Sequence, residues 1–153
     1  MTNPTHLKSN DVARLLRDAL RRLLVAHHSF DEHRRPCGLE LSAPYAWALL
    51  ELSDRGPLTV KELSEQLNID KTNVSRLCAK MEAQGHVCRP VHPDDGRARL
   101  VELTRAGRVL ASRTDEMSST HFSELLAELD LEPVIVIETL NALSSSMKKS
   151  ADK

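Results

Sequence analysis

The side chains with chemistry to offer gather between residues 71 and 108. Thr72, Asn73, Ser75, Arg76 and Lys80 bring hydroxyls, an amide and two cations close together, with no acidic residue after Asp70 until Glu82. Such a set can hydrogen-bond to base edges and pair with phosphate oxygens. A merely solvated helix face is also polar, but it mixes acids among its bases, and this one does not. Further on, His92-Pro93-Asp94-Asp95-Gly96-Arg97 collects residues that favour bends, beside Arg97 and Arg99. An arginine at a hairpin tip suits a minor groove, and Asp94 or Asp95 can hold it in position. The net charge of −1 conceals this asymmetry: residues 71–108 hold eight Lys/Arg against four Asp/Glu, whereas 109–153 hold four against eight. A basic face on an acidic body still meets phosphates.

These groups need elements to position them. Val74, Leu77, Cys78 and Met81 recur at i, i+3, i+4 and i+7, which buries one stripe of a helix and turns Thr72 and Arg76 outward, flanked by Asn73, Ser75 and Lys80. Before it, Thr59 and Glu62 form a capping box for a short helix with Val60, Leu63 and Leu67 inward. Asn68-Ile69-Asp70 makes the turn, with Ile69 buried and Asp70 capping the second helix. Gln84-Gly85 stops that helix, and 86–91 and 98–103 alternate as two strands around the Pro-Asp-Gly tip. Helix, tight turn, polar-faced helix and a two-stranded tip are together the layout of a winged helix-turn-helix over 57–107.

The flanks read as helices. Over 10–28, Val12, Leu15, Leu16, Ala19, Leu23 and Ala26 form an amphipathic stripe opposite arginines, and 29–42, with Pro36 and Gly38, reads as a loop. A helix follows from Ser42–Pro44 through Leu52 and ends in 53–57. Thr104 caps a long helix, 105–129, whose polar SRTDEMSST centre predicts a bend or a solvent-spanning stretch. After a break at 130–133, the helix at 134–147 is apolar on so much of its surface that it requires cover from more than one side. The fold class expected is mainly α with a small β-wing.

Several classes are disfavoured. No run approaches the ~20 apolar residues of a membrane span, and the polar N-terminus lacks the apolar core of a signal peptide, so a cytoplasmic protein with no membrane partner is expected. Cys37, Cys78 and Cys88 are odd in number and unpaired in spacing, which favours reduced thiols. His27, His28, His33 and Cys37 are close in sequence, yet adjacent histidines point about 100° apart on a helix, and no C-x-x-C or H-x-x-x-H pair occurs, so no metal site is expected. No nucleophile elbow, zinc-protease, P-loop or dinucleotide motif is present, and the five glycines fall in bends or at element ends, so neither enzyme activity nor a cofactor is expected.

LTVKELSEQLNIDKTNVSRLCAKMEAQGHVCR followed by DDGRARLVELTRAG resembles the MarR family of winged-helix regulators. The family's wing pattern, D-x-R, an apolar strand and then L-T-x-x-G, is met by Asp95, Arg97, Leu103, Thr104 and Gly107. The order of helices extends the resemblance over nearly the whole chain. It implies N- and C-terminal helices that form a dimerisation domain: residues 1–42 would be its N-terminal helix and loop, 43–107 the DNA-binding domain, and 108–153 its C-terminal helices. It implies a homodimer on double-stranded DNA with a pseudo-palindromic operator, acting as a transcriptional regulator and more commonly a repressor. Thr72, Asn73, Ser75 and Arg76 would enter the major groove, Lys80 would approach the backbone, and Arg97, with Asp95 and Arg99 beside it, would serve the minor groove. The family commonly binds small aromatic or phenolic anions. Here the cleft would be bordered by the first helix and the helix after it, with Arg17, Arg21 or His28 pairing the anion and Tyr45 and Trp47 near the ring, although Trp47 is read first as core. Redox sensing through Cys37, metal sensing, and a winged-helix interaction module that has lost DNA binding are the alternatives.

Overall fold

Capping chemistry opens the elements of the central segment. In the computed structural model, which describes residues 9–33 and 40–151, Thr59 Oγ1 accepts the Glu62 amide at 3.2 Å while the Glu62 carboxylate accepts the Thr59 amide at 2.7 Å. This reciprocal pair starts α3 (Val60–Leu67). Asn68 ends it in the left-handed region at φ 52°, a conformation its short polar side chain tolerates. Asp70 then caps α4 (Lys71–Ala83), its Oδ1 accepting the Asn73 amide at 3.0 Å. Both predicted caps and the turn between the helices are present.

One core holds these helices to their neighbours. Leu63 from α3 and Val74, Cys78 and Met81 from α4 are fully buried against Tyr45, Ala48, Leu49 and Leu52 of α2 (Ala43–Arg55). Burial of each large apolar side chain contributes about 1.5–3 kcal/mol. A small antiparallel sheet closes the core, with β1 (Leu58–Thr59), β2 (Val87–Cys88) and β3 (Leu100–Leu103) in the order β1-β3-β2. Leu58 pairs with Val101 and Val87 with Leu103, so Val101 and Leu103 face inward while Leu100 and Glu102 stay partly exposed. Ala111 of α5 (Arg105–Ala127) completes the core, to which α1 (Ser9–His33) and α6 (Pro133–Ala151) give no buried residue among those described.

The structure departs from the sequence reading in several places. The first helix runs five residues past His28, because 29–33 contain no breaker and Pro36 and Gly38 lie beyond it. Of the expected loop, 34–39 fall outside the described residues. The second helix extends to Arg55, which pairs with Glu51 one turn back at 2.7 Å, before Gly56 turns away at φ 82°. β1 was not foreseen, since two residues give no alternation to read. β2 is shorter than predicted: Pro90 has no amide to donate, and only the isolated bridge Val91 to Arg99 resumes the pairing. Of the two readings of the α5 centre, the solvent-spanning one fits: the helix is continuous and residues 112–120 are mostly exposed, with Thr114 and Thr120 donating to the carbonyls of Leu110 and Glu116 at 2.8 and 2.9 Å. The last helix is longer than 134–147 at both ends.

Candidate nucleic-acid interface

The buried stripe of α4 fixes which side chains face out. With Val74, Cys78 and Met81 turned to the core, Thr72, Asn73, Arg76 and Lys80 are exposed on the other side and Ser75 is half-buried at the edge. The face is therefore assembled as the sequence predicts, with two refinements. Asn73 donates one side-chain N–H to Asp70 Oδ2, which leaves its second N–H and its carbonyl oxygen. Lys80 lies with Nζ 6.0 Å from the centroid of the Tyr45 ring, a cation over an aromatic. Asp70 and Glu62 carry carboxyls held below the usual range, chiefly by the backbone amides of Asn73 and Thr59 that they accept. Both stay ionised at neutral pH, which adds negative charge at helix N-termini where it is favourable.

The hairpin tip is held by bonds from backbone amides to Asp95. Asp95 Oδ1 accepts the Arg97 amide at 2.9 Å, and Ala98 donates to the Asp95 carbonyl at 3.0 Å. Asp95 thus positions the backbone of Arg97, and its side chain is not paired with the guanidinium. Arg97 is exposed and directed by this turn, without an ion pair among the described residues. Arg99 is folded back, Nη1 donating to the Arg89 carbonyl at 3.1 Å, so it braces the wing more than it extends from it.

The ligand candidates separate. Tyr45 is 1 % exposed, and its hydroxyl lies 2.6 Å from His86 Nδ1, so it is a core residue and no cleft wall. Trp47, read as core, is instead 45 % exposed, because α2 turns Tyr45, Ala48 and Leu49 inward and leaves position 47 outside. Arg17 pairs with Asp18 at 3.0 Å. The cavity of about 780 Å³ beside α1 is lined by Leu16, Leu20 and Leu23 with Leu140, Leu143 and Met147 of α6, and by neither Arg17 nor Arg21. Glu65 of α3 and Asn68 at its end add to that lining, so the cavity lies between the flanking helices and the helix-turn-helix, and neither Tyr45 nor Trp47 is among its lining residues. The His28 and His33 side chains and all of Cys37 lie outside the described residues, Cys78 is buried and Cys88 is exposed. Burial pushes the Cys78 thiol up. Among the described residues no three His, Cys, Asp or Glu side chains gather as metal ligands, and no helix is long and apolar enough to cross a membrane.

Sequence reasoning missed His86. It stands 41 positions from Tyr45 and belongs to no motif, so nothing in the chain signalled that the two would meet.

A capped helix pair with a polar outer face and a hairpin alongside defines a winged helix-turn-helix. Known proteins agree: a family model described as "MarR family" matches residues 39–98. The organic hydroperoxide resistance transcriptional regulator of Bacillus subtilis is 33% identical over 82 residues, 54% of this chain and 56% of its own. The chain spans about half the length of the curated relatives it matches first. Among solved structures, a mutant of MarR from E. coli complexed with operator DNA aligns with TM-score 0.68 at 22% identity, covering 81% of this chain and 91% of that one. Bordetella bronchiseptica BpsR, whose DNA binding is regulated by 6-hydroxynicotinic acid, aligns with TM-score 0.65 at 23% identity, covering 87% and 98%. The chain is thus similar to MarR-family regulators, with the family match lying over residues 39–98.

Proposed function

We propose that this protein is a dimeric, sequence-specific DNA-binding transcriptional regulator of the cytoplasm, a repressor released from a pseudo-palindromic operator by a small-molecule signal. The observation that carries the reading is the exposed arc of Thr72, Asn73, Arg76 and Lys80 on a capped, core-anchored helix, with Arg97 directed outward on the adjoining hairpin. In this reading Thr72, Asn73, Ser75 and Arg76 contact base edges, Lys80 contacts phosphate, and Arg97 enters the minor groove on a turn held by Asp95 and braced by Arg99. The operator-bound neighbour supports it.

Residues 43–107 read DNA, while 1–42 and 108–153 form the dimer. Val12, Leu16 and Leu23 of α1 and Phe122, Leu125, Ile135 and Leu140 of α5 and α6 support this division, each exposing about half or more of its surface in the single chain. So much apolar surface calls for a partner. The BpsR neighbour supports an aromatic acid as the class of signal. The hydroperoxide-linked relative favours a second reading, in which oxidation of a thiol such as Cys37 is the signal. Operator release by peroxide that Cys37→Ser abolishes would establish that second reading.

A gel shift on the DNA flanking the protein's own gene tests the proposal. Retardation of one sequence at low salt, resistant to unrelated competitor, is expected; no binding by the purified protein would overturn it.

A further inference from the structure

Three residues, the C-cap Gln84 followed by Gly85 and His86, separate the end of α4 from the first residue of β2 and join the recognition helix to the wing, and the last two carry its ties. They are tied on every side. His86 donates its amide to Met81 of α4 at 2.9 Å and accepts the Thr104 amide on its carbonyl at 3.0 Å. Thr104 Oγ1 donates to the Gly85 carbonyl at 2.6 Å, and Gly107 packs so closely that a β-carbon there would lie 1.9 Å from the His86 oxygen.

The remaining tie is the only one made by a ring. Tyr45, buried in α2, sets its hydroxyl 2.6 Å from His86 Nδ1, with the rings edge to face at 5.9 Å. Burial pushes the Tyr45 phenol above its ordinary value, so it remains a donor. A His86 protonated on Nε2 accepts that bond. The same Tyr45 ring carries Lys80 at 6.0 Å, so a single core side chain touches both the junction and a cation on the exposed face of α4.

We infer that Tyr45 and His86 are positioning residues that fix the angle between the recognition helix and the wing, so that Arg97 reaches DNA while α4 is seated. The inference rests on the DNA-reading proposal above. It makes the wing contact conditional on a hydrogen bond between two residues that are not assigned to DNA themselves.

The test compares Tyr45→Phe, His86→Leu and His86→Asn in the full-length protein; asparagine keeps an acceptor near the Nδ1 position and leucine does not. Tyr45→Phe and His86→Leu are expected to weaken binding to a selected DNA sequence about fivefold, the equivalent of one hydrogen bond. The further loss caused by Arg97→Ala should shrink in both backgrounds, and hydroxyl-radical protection of the minor groove should fade while major-groove protection persists. His86→Asn should behave as wild type. In the free protein, the His86 and Thr104 amides should exchange faster in Tyr45→Phe while the Val74 amide does not. A variant that melts earlier yet keeps the full Arg97 effect and the wild-type footprint would make the pair merely structural and overturn the inference. Wild-type protein that selects no DNA would instead defeat the regulator reading. In that event unchanged exchange at His86 and Thr104 in Tyr45→Phe would overturn the positioning role as well.

Discussion

Replacing Gly107 by alanine sets two physical effects of opposite sign against each other. Gly107 lies in the first turn of α5, where alanine is favoured over glycine by about 1 kcal/mol, so helix propensity alone predicts a more stable protein. The structure predicts the reverse. A β-carbon at 107 would sit 1.9 Å from the His86 carbonyl oxygen and 2.9 Å from its carbon. That is roughly 1.4 Å short of the ~3.3 Å at which carbon and carbonyl oxygen come to rest. His86 cannot retreat without stretching its bonds to Met81 at 2.9 Å and Thr104 at 3.0 Å, so α5 must shift instead. Overpacking of this kind costs about 1–3 kcal/mol, and a strained backbone bond adds about 1 kcal/mol. After the propensity gain, the net loss is about 1–3 kcal/mol, which lowers the melting temperature by roughly 3–10 °C for a chain of this length. Circular-dichroism melts at one fixed protein concentration read it directly. A melting temperature equal to or above wild type would refute the close-packing argument.

Met81 is fully buried in the core, and Met81→Ala should cost about 2–5 kcal/mol, measured by urea unfolding. Glu62 and Asp70 have folded-state values below those of the unfolded chain, so their caps stabilise fully above the ordinary carboxylate range and lose that contribution as pH falls through the depressed values. Melting temperature should therefore fall on acidification below about pH 4–5, and less steeply in Glu62→Gln and Asp70→Asn; equal slopes in the variants would contradict this. Leu140 exposes 48% of its surface on α6, and for the dimer proposed above Leu140→Asp should shift sedimentation towards monomer without lowering the overall helical signal.

Elements whose signals are local were legible in the chain. Thr59, Glu62 and Asp70 announce their caps by identity and spacing, and the i, i+3, i+4, i+7 stripe of Val74 to Met81 determines which face of α4 is exposed. What escaped depends on contacts distant in sequence. β1 exists only because Leu58 and Thr59 pair with Val101 and Leu100 more than 40 positions on. Tyr45 and Trp47 are both amphipathic aromatics on one helix, and composition cannot say which faces the core; the packing of α2 against α5 and α3 decides for Tyr45. The role of Asp95 was half legible: the turn was evident, but its bond to a backbone amide and not to a guanidinium depends on the tip geometry.

The most direct measurement is selection of double-stranded DNA from a random pool, followed by affinity for the winning sequence against salt for wild type, Arg76→Ala and Lys80→Ala. The reading face described predicts a pseudo-palindromic winner, a linear fall of log affinity with log salt, a slope reduced by about one unit in Lys80→Ala, and relaxed base preference in Arg76→Ala. A pool that yields no sequence, or variants that bind with unchanged slope and preference, would contradict the assignment of α4 as the surface that meets DNA.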